Sequence, residues 1–127
     1  MWVFKILLFA ALAYAAVLVL IFFAQTSLLF PTRMAGASGP LPAGSERLLV
    51  EGPGGEKLHG THVPPARAAV GERLVILGFG GNAWNADSVA AYLHDLFPAA
   101  DVFAFHYRRY APSSGKPSAA ALLADAP

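Results

Sequence analysis

The sequence predicts an α/β fold in which a transmembrane helix precedes a small sheet with one β-α-β crossover. Three observations support this prediction. Residues 6–24 form an unbroken apolar run, two strand-like segments flank a glycine-rich turn at 52–55, and helical spacing at 85–97 separates two further apolar strands. With 56 % apolar and 13 % charged residues, the chain is also unlike an intrinsically disordered segment.

The composition excludes several classes of function. Cysteine is absent, which removes disulfides, thiolate metal sites and a cysteine nucleophile. The net charge is +1 without a basic cluster, so the chain lacks the electrostatic footprint of a protein that binds nucleic acid. The histidines form no metal-ligand motif, and we expect neither a metal nor a cofactor. They are His59, His62, His94 and His106.

The apolar run Ile6–Ala24 has the length of about 20 residues that a helix needs to cross the hydrocarbon core of a bilayer. The alternative is a cleaved signal peptide, which has an apolar core of about 7–15 residues and small residues at its cleavage site. This run is longer, and Phe22 and Phe23 precede its end where a small residue is needed. We therefore predict an anchor helix over residues 1–30, with residues 6–24 in contact with the lipid bilayer.

The charges beside this run bias its orientation only slightly. Lys5 precedes the run and favours a cytoplasmic N-terminus, which places the remaining chain on the non-cytoplasmic side. Arg33 and Arg47 follow the run and weaken this bias. We expect a single-pass membrane protein whose soluble part is non-cytoplasmic.

A linker and a hairpin follow the anchor. The segment 31–45 is rich in Gly, Ala and Pro and has no periodicity, which predicts a linker before a domain over residues 46–127. The domain begins with strand-like segments at Arg47–Glu51 and Lys57–Val63. The short glycine-rich turn between them predicts an antiparallel hairpin.

A strand–helix–strand unit comes next. Leu74–Leu77 is a short apolar strand, Asn85–Phe97 has helical spacing behind a good N-cap, and Asp101–Tyr107 is the following strand. A connection of this length joins parallel neighbours through a right-handed crossover. A last short helix is predicted over Ala119–Ala126.

The helix of this unit has an apolar stripe, which we expect to face the sheet. Its members are Val89, Tyr92, Leu93 and Leu96. His94 lies near the C-terminal end of the helix and is expected to be a surface residue.

Gly78, Gly80 and Gly81 follow the first strand of the unit and predict a sharp bend, here called the glycine bend. Glycine permits positive φ and the close approach of another group to the backbone. A strand, a glycine bend and a helix N-terminus together present backbone N–H groups that favour negative charge. Such a pocket serves as an oxyanion hole in acyl transfer or as the phosphate loop of a dinucleotide site.

The dinucleotide alternative is based on residues 78–83, which match the pattern G-x-G-x-x-A directly after a strand. A Rossmann-like nucleotide-binding unit also requires an acidic residue about 20 positions later, at the end of the next strand. Here that strand ends in His106 and Tyr107, whereas Asp101 lies at its beginning. This alternative therefore explains fewer residues than acyl transfer does.

Four sequence segments together cover more of the chain than the dinucleotide pattern does. They are Gln25–Pro31 (QTSLLFP), Gly55–Pro64 (GEKLHGTHVP), Gly80–Asn85 (GGNAWN) and His106–Ser118 (HYRRYAPSSGKPS), in that order. In order and spacing they resemble the N-terminal part of the BEM46-like membrane-anchored serine hydrolases of the α/β-hydrolase superfamily. The resemblance implies that residues 46–127 are the first strands of an incomplete α/β-hydrolase sheet.

The resemblance also implies which residues serve the site. In such enzymes the backbone N–H at the position of Asn82 donates to the developing oxyanion, and Gly81 belongs to the same oxyanion loop. The loop that supports the bend is expected to be fixed by Tyr107, Arg108 and Tyr110.

Three positions depart from the family's pattern. Gly80 and His106 stand where the family has His and Asp, at positions that tend to be structural. Arg109 stands where the family has glycine, and we expect it to crowd the loop beside the pocket.

The sequence lacks the catalytic groups of a serine hydrolase, which are a nucleophile in G-x-S-x-G and then an acid and a histidine. The resemblance places the nucleophile strand beyond Pro127 and beside Leu74–Leu77, so that Leu74–Leu77 alone would be a bare apolar edge. We expect this chain by itself to be inactive, and the full enzyme to act on a small ester or lipid-like substrate. The remaining alternative is a non-catalytic, membrane-anchored relic of a hydrolase.

Overall fold

The computed structural model of the protein describes residues 1–68, 71–81 and 83–126. Its elements follow the predicted order of a long helix, a hairpin, a strand–helix–strand unit and a short last helix. They are α1 (Trp2–Leu29), β1 (Glu46–Glu51), β2 (Lys57–Val63), β3 (Val75–Gly78), α2 (Ala86–Leu96), β4 (Asp101–Phe105) and α3 (Ala119–Asp125).

Helix α1 is 28 residues long, and none of its residues is buried against the rest of the chain. Among the described residues it is the one helix that is long and apolar enough to cross a membrane, a property that an N-terminal signal sequence shares. The helix ends where Phe30 donates its N–H to the Thr26 carbonyl at 2.9 Å and Pro31 follows.

The sheet has four strands in the order β1-β2-β4-β3. Strands β1 and β2 form the predicted antiparallel hairpin, with Leu48 opposite Gly60. Strand β4 pairs antiparallel with β2 and parallel with β3, so the predicted parallel crossover through α2 is confirmed. Strands β1 and β3 are therefore the two edges, and β3 ends in the glycine bend.

One face of the sheet packs against α2 and forms the core. The buried residues of this core are small, which lets the helix lie close to the strands: Val63, Ala86, Ala90, Val102 and Ala104, with Leu41, Ile76 and Leu93 packed around them. The opposite face carries larger side chains, among them Leu58 and Phe105. Phe105 lies opposite Gly60, and its ring covers the space where a Cβ of Gly60 would be.

The stripe predicted for α2 is wrong in part. Tyr92 and Leu96 are each 53 % exposed, whereas Ala90 is fully buried against the sheet. Contact through alanine rotates the helix so that these two larger side chains point outward. The same rotation buries His94, which is 9 % exposed, so its predicted place at the surface is also wrong.

The segment 31–45 is attached to the domain through the N-terminus of α2. Asn85 donates its side-chain N–H to the Gly36 carbonyl at 3.0 Å, and its amide oxygen accepts a bond of 3.3 Å from the Ser38 hydroxyl. Leu41 packs on the core. The segment thus has irregular backbone, as its composition predicts, and also has specific contacts.

Candidate functional site

The glycine bend lies at the carboxyl end of edge strand β3. Two hydrogen bonds give it its shape. The Tyr107 hydroxyl donates to the Gly80 carbonyl at 2.8 Å, and Trp84 donates its N–H to the Gly81 carbonyl at 3.0 Å. The first bond supports the bend from the loop after β4, which confirms the bracing role predicted for Tyr107.

The glycines of the bend are explained mainly by close packing. A Cβ on Gly78 would lie 2.6 Å from Leu93 Cδ1 and 3.0 Å from Val89 Cγ1, so a side chain here would push α2 from β3. A Cβ on Gly80 would lie 3.2 Å from Val89 Cγ2. Gly81 has open space, and none of these glycines has a positive φ. Of the two properties that glycine offers, the bend therefore uses close approach.

Of the two site residues predicted for the oxyanion loop, the structure describes one. Gly81 is exposed and forms the turn to Trp84. Asn82 lies outside the described residues. The structure therefore describes only Gly81 of the two predicted loop residues, and the role of the Asn82 backbone N–H as an oxyanion donor stays a prediction.

The N-terminus of α2 is closed by its own cap. The Asn85 side chain accepts from the Asp87 N–H at 2.9 Å, which confirms the predicted N-cap. Asn85 is also 8 % exposed. The cap therefore occupies one of the donors that the first turn of α2 would otherwise offer to a ligand.

The loop after β4 is fixed by charge as well as by its tyrosines. Arg108 bonds Glu56 of the hairpin turn at 2.6 Å and Asp125 of α3 at 2.6 Å. Tyr110 is 2 % exposed and contacts Tyr107 edge to face, with ring centroids 5.9 Å apart. Burial raises the pKa of Tyr107, so its hydroxyl stays protonated and able to donate.

A buried polar cluster that the sequence did not predict lies beside the core. Its centre is Asp87, whose side chain is 1 % exposed. The Asp87 carboxylate accepts 2.6 Å from Arg47 and 2.5 Å from the Thr61 hydroxyl. His106 Nε2 lies 3.7 Å from the same oxygen. The cluster joins β1, β2, α2 and the end of β4, and the sequence signal for it was the acidic residue in the first turn of α2.

The charges of this cluster are set by opposing effects. Burial alone would raise the pKa of Asp87, but hydrogen bonds led by that from Arg47 outweigh burial and lower the pKa to about 2. Burial lowers the pKa of His106, against the attraction of Asp87. At neutral pH the cluster therefore holds one carboxylate, one guanidinium and a neutral imidazole. A carboxylate at position 106 would face that of Asp87 inside this buried site.

Asp101, the acid considered for the dinucleotide alternative, is engaged at the start of β4. It forms an ion pair with Arg73 and lies 2.8 Å from His62 Nε2. Hydrogen bonds from Arg73 and then from His62 lower the pKa of Asp101. The start of β4 is the end opposite the glycine bend, because β3 and β4 are parallel. The geometry therefore gives the dinucleotide alternative no additional support.

An apolar cavity of about 280 Å³ adjoins the glycine bend on the sheet face away from α2. It is lined by Phe79 of the bend, Leu77 of β3, Phe105 of β4 and Leu122 of α3. Arg109, which is expected to crowd the loop beside the glycine bend, does not line this cavity but lines another at the end of α1, and its effect on the loop stays a prediction.

No protein-family model matches the chain, and no curated protein matches it. Within residues 1–68, 71–81 and 83–126, no group of three histidine or acidic side chains is placed to hold a metal ion.

Proposed function

We propose that this chain supplies the membrane anchor and the oxyanion loop of a serine hydrolase that cleaves small ester or lipid-like substrates. Gly81 and the backbone N–H of Asn82 form the loop that receives the developing negative charge. The nucleophile, the acid and the histidine come from residues outside this sequence. Without them the chain does not turn over substrate.

The observation that carries the proposal is the position of β3. This strand is an edge of the sheet, and the glycine bend leaves its carboxyl end. A further parallel strand added beside β3 would end next to the bend, because the carboxyl ends of parallel strands meet at one edge of a sheet. A nucleophile on the turn after such a strand would then face the N–H groups of the bend.

The bracing of the bend supports the same proposal. An oxyanion hole stabilises charge because its donors are held in place before the reaction. The bond from Tyr107 to Gly80, the ion pairs of Arg108 and the packing of Gly78 against Leu93 all restrict the backbone around Gly81.

The membrane part of the proposal is based on α1. A helix of 28 residues spans about 42 Å, which exceeds the roughly 30 Å of the hydrocarbon core. None of its residues is buried against the rest of the described chain, and a window of 18 of its residues has a mean hydropathy of 2.9. Lipid is the solvent in which such a surface is stable. We propose that α1 is retained in the membrane and that the domain is non-cytoplasmic.

The first experiment reads the coding DNA beyond the codon for Pro127. We expect an open frame with G-x-S-x-G, followed by an acid and a histidine. A stop codon directly after Pro127 would contradict the proposal and favour the non-catalytic relic.

The second experiment tests the oxyanion donor in the full-length enzyme. Asn82→Pro removes the backbone N–H, and Asn82→Ala keeps it. We expect the proline variant to lower kcat for ester hydrolysis by about 10²–10³-fold and the alanine variant to retain most activity. Ala83→Pro is the matched control, because it removes the adjacent donor. Equal losses in Asn82→Pro and Ala83→Pro, at equal thermal stability, would argue against a specific role for Asn82.

A further inference from the structure

We infer that the cavity at the C-terminal end of α1 binds a phosphate-bearing anion, and that its source is the headgroup of an anionic membrane lipid. The cavity has a volume of about 420 Å³ and is separate from the glycine bend. It is lined by Arg33 and Arg109 together with the hydroxyl-bearing Thr26, Ser27 and Thr32. The inference goes beyond the proposed hydrolase, and only its lipid source depends on the proposed anchoring of α1.

The charge of the cavity is the first argument. No acidic residue lines it. The acidic residues near the loop of Arg109 are engaged elsewhere, since Glu56 and Asp125 are both bound to Arg108. Among the described residues, neither Arg33 nor Arg109 has an ion-pair partner. Two guanidinium groups at one cavity with hydroxyl donors are the groups that recognise phosphate.

The backbone of Arg109 is the second argument. Its φ is +66°, and among the described residues it is the one non-glycine residue in this left-handed region. This conformation is unfavourable for a residue with a Cβ and suits glycine. Strain of this kind is concentrated at binding and active sites. An arginine in this place is therefore explained by what its side chain contributes to the cavity.

The C-terminal end of α1 carries a partial negative charge that opposes anion binding. This charge can be compared with the positive charge of the two arginines. The last carbonyls of a helix act like about −0.5 of an elementary charge. Thr26 and Ser27 belong to this last turn. The two guanidinium groups carry a charge of about +2, so the field of the cavity remains positive.

The depth of the cavity in a bilayer indicates that its anion is a lipid headgroup. The apolar run Ile6–Ala24 spans about 28 Å as a helix, close to the thickness of the hydrocarbon core. Residues 25–29 then lie in the headgroup layer, and the cavity begins at Thr26. Two guanidinium groups at this depth can pair with the phosphate of an anionic headgroup in the leaflet that faces the domain.

The test measures lipid binding to the full chain in neutral detergent by native mass spectrometry. Dioleoyl phosphatidic acid and dioleoyl phosphatidylcholine are titrated separately. The variants are Arg33→Gln, Arg109→Gln and the double variant. Arg67→Gln is the matched control, because Arg67 is exposed and its side chain has no part in the cavity.

We expect phosphatidic acid to bind more tightly than phosphatidylcholine, with each cavity variant weakening it about fivefold and Arg67→Gln leaving it unchanged. Equal binding of the two lipids, or an equal loss in Arg67→Gln and Arg109→Gln, overturns the inference.

Two further arms separate the source of the anion from the proposed anchoring. Inorganic phosphate that binds without lipid, and is lost in the double variant, supports the cavity but assigns it to a soluble phosphate compound. Resistance of the chain to extraction from vesicles by alkaline carbonate reports anchoring alone. Because the lipid measurement needs no turnover, its failure and that of the proposed hydrolase are distinguishable.

Discussion

Strands β1 and β3 form the two edges of the sheet, and they differ in how they meet solvent. Strand β1 has Glu46 and Glu51 at its ends, and charges of this kind prevent an edge from pairing with another chain. Strand β3 has the sequence VILG without a charged residue, and Val75 is 61 % exposed. Uncharged aliphatic strands of this type are usual in the interior of parallel sheets.

The two edges also differ in how they are joined to α2. Strand β1 is joined by a polar link, in which Arg47 reaches over β2 to the buried Asp87. Strand β3 is joined by direct contact of backbone, because Gly78 has no Cβ between it and Leu93. Strand β1 therefore has the charged ends of a protected sheet edge, whereas β3 has the uncharged aliphatic composition of an interior strand.

The largest predicted loss of stability comes from a substitution that disturbs the polar link between β1 and α2. His106→Asp places a second carboxylate beside Asp87 in a buried site, and we expect it to lower the free energy of unfolding by about 3 kcal/mol. The measurement is urea unfolding of the full chain in detergent, followed by Trp84 fluorescence in a Trp2→Phe background. His106→Asn is the neutral control of equal size. Equal losses for Asp and Asn would show that charge is not the cause.

Acid is expected to weaken the same link. The pKa of Asp87 is lowered to about 2, and those of Asp101 and His106 are also lowered. A lowered pKa means that the unfolded chain binds protons more readily, so stability is present above the unfolded pKa and is lost as the pH falls. The loss begins near pH 6.5 through His106, and below about pH 4 the protonation of Asp87 and Asp101 adds to it.

Asp87 alone is expected to contribute about 1–2 kcal/mol to this loss, after allowance for the solvent around Arg47, which is 61 % exposed. Unfolding free energies measured between pH 7 and pH 2 test this. In Asp87→Asn the decline between pH 4 and pH 2 is expected to be smaller. An unchanged slope in that variant would contradict the assignment to Asp87.

A smaller effect is expected at the edge formed by β3. Gly78→Ala adds a Cβ 2.6 Å from the end of the Leu93 side chain, which has some freedom to move, and we expect a loss of about 1 kcal/mol. Gly81→Ala is the matched control in the same bend, where a Cβ would meet nothing within 4 Å. Its stability is expected to change by less than about 0.5 kcal/mol. Similar losses for both would refute close packing as the reason for Gly78.

The substitutions with the smallest expected effect on stability compare the two edges most directly, through self-association of the chain. Val75→Lys places a charge on β3, and Leu49→Lys places one on β1. We expect Val75→Lys to reduce self-association of the full chain in detergent, because an unprotected apolar edge pairs with other copies, and Leu49→Lys to have little effect. Analytical ultracentrifugation reports both. An equal response would mean that the two edges are equivalent.

The sequence predicted the elements of the fold well because their signals are local. The apolar run, the glycine-rich turn and the strand–helix–strand pattern each depend on neighbouring residues. The orientation of α2 was missed, since an apolar stripe chosen by size does not show that the sheet prefers the small Ala86 and Ala90. The burial of His94 follows from this orientation and was missed for the same reason.

The site was predicted less completely because its contacts are distant in sequence. The glycine pattern located the bend, and the tyrosine after β4 was expected to brace it. The cluster of Arg47, Thr61 and Asp87 brings together residues up to 40 positions apart, and no local pattern records such a meeting. The cavity at Arg109 depends on how α1 meets the domain, which the sequence did not indicate.

The bond between Tyr107 and Gly80 has a consequence for the direction of a single peptide group. The carbonyl of Gly80 and the N–H of Gly81 belong to one planar unit, and in a trans peptide they point in opposite directions. A hydroxyl that holds the oxygen on one side therefore aims the hydrogen of Gly81 to the other side. Glycine on both sides of this unit would otherwise let it rotate. The phenol of Tyr107, which follows the neighbouring strand β4, therefore fixes the orientation of this peptide plane, and Tyr107→Phe would leave the plane free to rotate.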